Sequence, residues 1–248
     1  MKQYHAYFFD LYGTLADIHT DESRPRLWQQ TAAYYTERGA AYHAKSLLAS
    51  YLDLCGGETL RLEKQFPDAL VEIDLLRVFR GLYMARGVTP DEALLADTAW
   101  TFRRGSTCHL RAYAGAGELL DALRAAGKTV ILLSNAQSCF TRPELELLGL
   151  SEGFDRIFIS SEVGFKKPDP RFFRYALDSL GLEPRDCLMI GNDLSCDLGG
   201  AAAVGMDGLY IRSGLSPKAD REAPLPGSAV AALPRMDLRA VKRMLLTK

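Results

Sequence analysis

The chain has 248 residues, a formal net charge of −1 and 48% hydrophobic residues, which suffices for one large domain or for a core domain with a smaller one. Acidic and basic residues are interspersed, which excludes the basic footprint of a nucleic-acid-binding or membrane-surface protein. The five cysteines are scattered without a C-x-x-C pair, so they predict reduced thiols rather than a disulfide framework or a zinc site.

The first predicted element is an aromatic-rich apolar run, Ala6–Phe9, that stops at Asp10. Such a run is typical of a strand buried on both faces of a parallel sheet. Asp10 therefore falls where a strand ends and a loop begins. Ligands bind at this edge of open α/β sheets, and a carboxylate there can attack phosphorus or carbon to form a covalent intermediate. A carboxylate that only caps the following turn is the alternative interpretation.

The next part of the chain is predicted to be mainly helical. Apolar residues recur at helical spacing from Leu75 to Tyr83, and an earlier helix is expected to end at Gly39. A second helix is expected to stop before Gly56-Gly57. Thr89 is expected to be the N-cap of a helix that reaches about Arg104, because a proline and two acids follow it.

We expect residues 17–105 to form a helical domain of their own, inserted into an α/β core made of residues 1–16 and 106–248. Beyond Gly115 buried strands alternate with helices, which is the pattern of a doubly wound parallel sheet with right-handed crossovers. The expected strands are 129–133, 156–160, 187–190 and 208–211, and the expected helices include one around 143–148 and a last one with Leu238, Val241 and Leu245 on one face.

Polar residues follow three of the later strands, and a parallel sheet would bring them to the same edge as Asp10. Ser134 follows the second strand, the Lys166-Lys167 loop follows the third, and Asn192-Asp193 with Asp197 follow the fourth. A phosphate ester would use such groups, because phosphoryl transfer depends on positive and hydrogen-bonding groups around the phosphoryl oxygens. Singly, each segment could equally be a helix cap or a solvated turn.

Four ordered segments of the sequence resemble the four motifs of the haloacid dehalogenase superfamily of aspartate-nucleophile hydrolases. The segments are Asp10-Leu11-Tyr12-Gly13-Thr14-Leu15, Ser134-Asn135, Lys167-Pro168-Asp169 and Gly191-Asn192-Asp193 with Asp197. The resemblance spans Tyr4 to about Ile211, and the helical segment lies where members of the superfamily carry an α-helical cap. It implies a Rossmann-like core with a mobile cap.

The resemblance also implies a role for each matched residue. Asp10 would be the nucleophile, Ser134 would bind the phosphoryl group, and Lys167 would steady the intermediate. In phosphatases of the superfamily Mg²⁺ is held by the nucleophile, by the backbone carbonyl two residues later, here that of Tyr12, and by an acid of the fourth motif. The remaining matched residues would contribute to substrate binding, namely Tyr12 itself, Gly13, Thr14 and Asn135.

Tyr12 departs from the usual phosphatase pattern. Most phosphatases of the superfamily have a second aspartate at this position as general acid and base, whereas a tyrosine hydroxyl, with an ordinary pKa of about 10, is a poor base near neutrality. The segment Asp10–Thr14 also resembles the first motif of 2-haloacid dehalogenases, which displace halide from carbon without a metal. The alternatives are therefore a phosphatase, a metal-independent dehalogenase, or a slow member that acts as a binding module.

The fourth motif favours the phosphatase. Carboxylates that converge without a cation raise one another's pKa, so Asp193 and Asp197 near Asp10 favour bound Mg²⁺, with Asp197 among its expected ligands. Either Asn192 binds the metal through its amide oxygen or Asp193 does, and we favour Asp193 because carboxylate is the stronger partner. The leading hypothesis is a cytoplasmic Mg²⁺-dependent phosphatase of a small phosphate ester, monomeric or homodimeric, without nucleic-acid or membrane partners.

Overall fold

A computed structural model describes residues 2–247 of the chain. The strands are β1 (Ala6–Phe9), β2 (Ala16–Thr20), β3 (Thr107–Ala112), β4 (Thr129–Ser134), β5 (Arg156–Ile159), β6 (Cys187–Gly191), β7 (Asp207–Ile211) and β8 (Ala229–Leu233). Six of them form one sheet in the order β5-β4-β1-β6-β7-β8, and every neighbouring pair is parallel. The predicted α/β fold with a parallel sheet is confirmed.

Helices cover both faces of the sheet and also form a separate group after β2. In chain order they are α1 (Pro25–Glu37), α2 (Ala44–Gln65), α3 (Leu75–Met84), α4 (Glu92–Ser106), α5 (Ala116–Ala125), α6 (Ser138–Leu147), α7 (Ser160–Val163), α8 (Pro170–Leu180), α9 (Gly200–Ala203) and α10 (Leu238–Leu246). Within the described residues, none of these helices is both long and apolar enough to cross a bilayer.

Strand β1 lies at the centre of the sheet and is buried on both faces, as its sequence predicts. Tyr7 and Phe9 belong to a core cluster that also contains apolar residues of α5 and α10. Ala6 and Phe8, which point the other way because strand side chains alternate, belong to a second cluster with residues of α8. The end of β1 is thus held rigidly from both sides.

The strand order places a binding crevice at the end of β1. From β1 the chain goes to β4 and β5 on one side, and then returns to β6, β7 and β8 on the other. In open α/β sheets, ligands bind outside the carboxyl ends of the strands at the point where the strand order reverses. Asp10, the first residue after β1, lies at that point.

Helices α1 to α4, which we call the helical insert, enclose an aromatic cluster of their own. Trp28, Tyr51, Phe79 and Phe102 are buried there with ring centroids 5.2–6.2 Å apart. Phe140 of α6 joins the same cluster. The insert therefore packs on α6 through shared apolar surface, in addition to the chain connections.

Several local expectations need correction. Helix α2 continues through Gly56 and Gly57 to Gln65, and the side chain that caps α4 is that of Asp91, which accepts the Leu94 N–H at 2.7 Å, rather than Thr89. Helix α6 begins at Ser138 and contains Pro143 in its interior.

Three strands, β2, β3 and β8, were not predicted from the sequence. Strand β2 pairs with the distant β3 in an antiparallel ribbon, and β8 extends the main sheet. The ribbon connects the core with the two ends of the helical insert. All three strands depend on partners that lie elsewhere in the chain, so their local sequence patterns are weak.

The loop between α2 and α3 lies against the core loop that carries Lys167. The Lys166 N–H donates to the Leu70 carbonyl and the Glu72 N–H donates to the Gly164 carbonyl, each at 2.9 Å. The Leu70 N–H donates to Asp169 Oδ2 at 2.8 Å. The helical insert is consequently hydrogen-bonded to the segment that follows β5.

Candidate active site

Asp10 lies at the floor of the crevice with its backbone tied to the neighbouring strand. Its N–H donates to the Ile190 carbonyl of β6 at 3.0 Å, and the residue is only 8% exposed. The sheet thus fixes the Asp10 carboxylate in place before any ligand arrives. A rigid, nearly buried carboxylate at a strand end suits a nucleophile.

Lys167 bridges two carboxylates. Its Nζ lies 2.7 Å from Asp10 Oδ1 and 2.7 Å from Asp197 Oδ1, and all three side chains are buried. Burial alone would lower the pKa of the Lys167 ammonium group, but the two adjacent carboxylates raise it above its ordinary value. Lys167 therefore stays charged, and the structure brings it into direct contact with the predicted nucleophile.

Asp197 anchors Lys167 and the loop after β6. Its Oδ2 accepts the N–H groups of Asn192 and Asp193, each at 3.0 Å, while its Oδ1 accepts Lys167. Gly191 permits this approach, since a Cβ there would lie 2.2 Å from Asp197 Oδ2. Both carboxylate oxygens of Asp197 are thus engaged by protein donors, although the sequence analysis had placed the residue among the metal ligands.

Three polar groups face one another beside Asp10. The outer amide atom of Asn192 lies 3.1 Å from the Tyr12 carbonyl oxygen and 3.3 Å from Asp10 Oδ2, and the Thr14 hydroxyl contacts both side chains at 3.2–3.3 Å. If the Asn192 side chain is oriented with its nitrogen at this position, the amide donates hydrogen bonds to both oxygens. If it is oriented with its oxygen there, the amide oxygen forms a cluster of three acceptors with the Tyr12 carbonyl and Asp10 Oδ2. Neighbouring ligands of an octahedral Mg²⁺ lie about 2.9 Å apart, so these groups fit such a cation.

Gly13 makes room for this arrangement. Its backbone has φ +92°, a conformation that favours glycine, and a Cβ would lie 2.4 Å from the Asn192 amide. Gly13 and Thr14, both predicted from the first motif, are therefore brought to the site. Their observed contacts position Asn192 and Asp10.

Asp193 uses its carboxylate as a helix cap. Its Oδ1 accepts the N–H groups of Ser195 and Cys196 at 2.9 and 2.7 Å, at the start of the helical turn Leu194–Gly199. Of the two residues between which the sequence left the metal site open, Asn192 is the one that lies beside Asp10 and the Tyr12 carbonyl.

The expected convergence of carboxylates takes a different form. Within residues 2–247 no group of three or more His, Cys, Asp or Glu side chains is arranged to hold a metal ion. The cluster beside the nucleophile instead combines one carboxylate, one backbone carbonyl and one amide.

Ser134 and Asn135 take different places at the end of β4. The Ser134 hydroxyl is fully buried and has no hydrogen-bond partner within the described residues. Asn135 holds the Lys167 backbone at two points, since its Oδ1 accepts the Lys167 N–H at 2.7 Å and its Nδ2 donates to the Lys167 carbonyl at 2.9 Å. Asn135, predicted as a substrate-binding residue, therefore positions the lysine.

The side chain of Tyr12 is directed into a polar network at the helical insert. Its hydroxyl donates to Glu144 and contacts the Thr141 hydroxyl at 3.1 Å. Glu144 also accepts Arg103 of α4 at 2.6 Å, and this ion pair is nearly buried. Burial and the neighbouring Glu144 raise the pKa of the Tyr12 hydroxyl above its ordinary value. Arg103 and Glu144 were not predicted, because nothing in their local sequence distinguishes them from helix surface charges.

The resulting cavity has a volume of about 180 Å³ and is lined by Asp10, Tyr12, Asn135, Lys167, Asn192, Asp193, Cys196, Asp197 and Leu215. Its charged groups are three carboxylates and one ammonium group, so negative charge is in excess. Cys196 and Leu215 were not predicted, and Ser134 is covered rather than part of the lining. A cavity of this size suits a small ligand.

Comparisons with known proteins identify relatives among both phosphatases and dehalogenases. The chain is 34% identical over 149 residues to a phosphoserine phosphatase of Thermus thermophilus, an alignment that covers 60% of this chain and 58% of that protein. It is 29% identical over 219 residues to (S)-2-haloacid dehalogenase 4A of Burkholderia cepacia, covering 88% and 87%. The crystal structure of a HAD phosphatase from Thermococcus onnurineus shares the fold, with a TM-score of 0.58, 19% identity and 98% of each chain covered.

The chain also matches a protein family over most of its length. Residues 4–205, which contain all four strand ends of the site, match the haloacid dehalogenase-like hydrolases. The chain belongs to the haloacid dehalogenase-like hydrolase family.

Proposed function

We propose that the protein is a Mg²⁺-dependent phosphatase that hydrolyses a small phosphate ester through an aspartyl-phosphate on Asp10. The observation that carries this proposal is the cluster of Asp10 Oδ2, the Tyr12 carbonyl and the Asn192 amide, in which the amide atom lies 3.1 Å from the Tyr12 oxygen and 3.3 Å from Asp10 Oδ2. A hard cation bound there would balance the excess negative charge of the cavity. It would thereby reduce the electrostatic repulsion between the cavity and a phosphate dianion.

The residues of the site have distinct parts in this reaction. An oxygen of Asp10 attacks phosphorus, the bond from phosphorus to the leaving oxygen breaks, and its electron pair departs with the leaving group. Water then attacks the same phosphorus and releases the Asp10 carboxylate and inorganic phosphate. Lys167 neutralises charge beside Asp10. The Ser134 hydroxyl, which is covered and has no hydrogen-bond partner among the described residues, would donate to a phosphoryl oxygen only after a local rearrangement uncovers it. Bound Mg²⁺ would supply positive charge to the phosphoryl oxygens.

The helical insert is proposed to act as the cap of this enzyme, with residues 17–105 as a cap domain and residues 1–16 and 106–248 as the core. Its hydrogen bonds with the segment Gly164–Lys166 and its contact with Phe140 hold it beside the crevice. An insert in this place would exclude water from the covalent intermediate.

A panel of phosphomonoesters tests the proposed function directly. Phosphate release should depend on added Mg²⁺ and should disappear in EDTA. Phosphate release at the same rate in EDTA, or no release from any ester, would contradict the proposal. The same protein should release no halide from 2-haloacids, with or without EDTA.

Metal-independent dehalogenation is the second candidate, and the position of Tyr12 favours it. Its hydroxyl is bound to Glu144 and Thr141, so the first motif offers no acid or base, and displacement of halide needs none there. The charge of the cavity opposes this candidate, because a haloacid carboxylate would meet three carboxylates and a lysine that is already paired. Halide release in EDTA would establish it.

Replacement of Lys167 by methionine is expected to lower kcat/KM for phosphate esters by about 10²–10³, the usual effect of removing one charge-stabilising group. The change leaves the Asp10 and Asp197 carboxylates without the cation between them. Steady-state kinetics at saturating Mg²⁺ measures the effect. Lys166→Met is the matched control, since it removes the neighbouring charge and should change kcat/KM less than threefold. Equal losses in both variants would argue against a special role of Lys167.

Replacement of Asn192 by aspartate is expected to tighten Mg²⁺ binding by roughly tenfold, because it adds a negative charge to the proposed ligands. Calorimetric titration with Mg²⁺ measures the affinity without any substrate. Asp193→Asn is the control, because asparagine preserves the helix cap while it removes a charge. If Asp193 rather than Asn192 binds the metal, the control will lose most of its affinity and Asn192→Asp will gain little.

A further inference from the structure

The walls of the cavity contain no evident proton donor for a leaving group. The residue two positions after the nucleophile is Tyr12, and its hydroxyl donates to Glu144 outside the cavity. None of the four histidines of the chain, all of them within the described residues, lines the cavity. The leaving oxygen would therefore need its proton from some other lining residue or would have to depart without one.

The charged side chains that line the cavity besides Asp10 are already hydrogen-bonded to other protein groups. Asp197 uses one oxygen for Lys167 and the other for two backbone N–H groups. Asp193 accepts two N–H groups as a helix cap. Lys167 donates to both Asp10 and Asp197, so its hydrogen bonds are directed at carboxylates.

The remaining lining groups are poor proton donors by their chemistry. The amides of Asn135 and Asn192 carry no transferable proton, and Cys196 offers only a weak S–H donor. Leu215, 39% exposed, is apolar. No residue of α1 to α4 is part of the lining, so within the described structure the helical insert adds no donor either.

We infer that the substrates are phosphate compounds whose leaving group departs as a stable anion, namely acyl, enol or aryl phosphates, and that alkyl phosphates are poor substrates. This inference rests on the proposed phosphatase function. When Asp10 attacks, the bond between phosphorus and the leaving oxygen breaks, and the electron pair remains on a carboxylate, enolate or phenolate that needs no proton. The water that attacks next gives both of its protons to the phosphate product, which leaves as dihydrogen phosphate.

The basicity of the leaving group separates the two classes of substrate. A carboxylate, enolate or phenolate is a weak base that departs without a proton. An alkoxide is a strong base, so its departure without a proton is slow. General acid catalysis contributes typically 10²–10⁴-fold, so its absence should discriminate between these classes by a similar factor.

Three phosphate esters that share one aromatic ring provide the test. They are 4-nitrophenyl phosphate, phenyl phosphate and benzyl phosphate, in which the leaving alcohol becomes progressively less acidic while the size changes little. The aromatic ring of each of the three esters can contact Leu215. This contact therefore contributes similarly to kcat/KM for all three and does not affect their comparison. The wild-type protein is used with Mg²⁺, and the rate found with Asp10→Asn is subtracted as background.

We expect kcat/KM to fall steeply along the series, with benzyl phosphate about 10²–10⁴-fold below 4-nitrophenyl phosphate. A value for benzyl phosphate within tenfold of that for 4-nitrophenyl phosphate would overturn the inference and leave the proposed phosphatase function standing. Absence of phosphate release from all three esters and from acetyl phosphate would instead reject the proposed function, and the inference with it.

Discussion

Replacement of Asp10 by asparagine should lower kcat by at least about 10⁴-fold while the protein remains folded. The loss follows from the chemistry, since an amide cannot form the covalent phosphoryl intermediate, and losses of this order accompany removal of a nucleophile. The fold should survive, because asparagine has the same shape and Lys167 keeps its partner Asp197 at 2.7 Å. Phosphate release and circular dichroism together measure the two parts of this prediction.

Asp17→Asn is the matched control for this experiment. It removes the same kind of charge from the same segment, but Asp17 pairs with Arg111 on the β2–β3 ribbon and does not line the cavity. Its activity should stay within about twofold of wild type. If Asp10→Asn retained more than about a hundredth of the activity, direct attack of water on the substrate would replace the covalent mechanism.

Replacement of Glu144 by alanine should lower the free energy of unfolding by about 3–5 kcal/mol, the usual cost of removing one partner of a buried ion pair. The Glu144 and Arg103 side chains are only 1% and 11% exposed, and Glu144 also accepts the Tyr12 hydroxyl. Without Glu144, the Arg103 charge and the Tyr12 hydroxyl would stay buried without their acceptor. Urea denaturation measures the change.

The exposed pair of Arg142 and Glu162 gives a control of the same chemistry. Arg142 also lies on α6, its guanidinium is bidentate to Glu162, and the two side chains are 52% and 34% exposed. Glu162→Ala should cost less than about 1 kcal/mol, as exposed ion pairs do. Similar losses in the free energy of unfolding for Glu144→Ala and Glu162→Ala would mean that burial does not determine the contribution of the Arg103–Glu144 pair to stability.

These contacts hold the helical insert against the core. The insert is joined to the core by the Arg103–Glu144 pair, by Phe140 and by backbone hydrogen bonds between 70–72 and 164–166. The loop with Lys167 takes part in the last of these. Any motion that opens the insert must therefore break a buried ion pair or disturb the neighbourhood of Lys167.

The strands that carry the site could be predicted from local patterns in the sequence. Apolar runs that end in Asp10, Ser134 and Asn192 are local signals, and a parallel sheet necessarily brings such strand ends to one edge. The helix that Leu75 to Tyr83 predicts and the last helix are confirmed for the same reason, since each buries its apolar face. These features depend on short stretches of chain, which a sequence displays directly.

The partner of each polar residue follows from the folded arrangement of the chain and could not be predicted. Asp197 holds Lys167, Asn135 holds the backbone of the same lysine, and Tyr12 bonds to Glu144 beside Arg103. These contacts join residues that are far apart in the chain, so nothing in the local pattern records them. The ribbon of β2 and β3 and the added strand β8 were missed for the same reason, because a strand is stabilised by its neighbours rather than by its own residues alone.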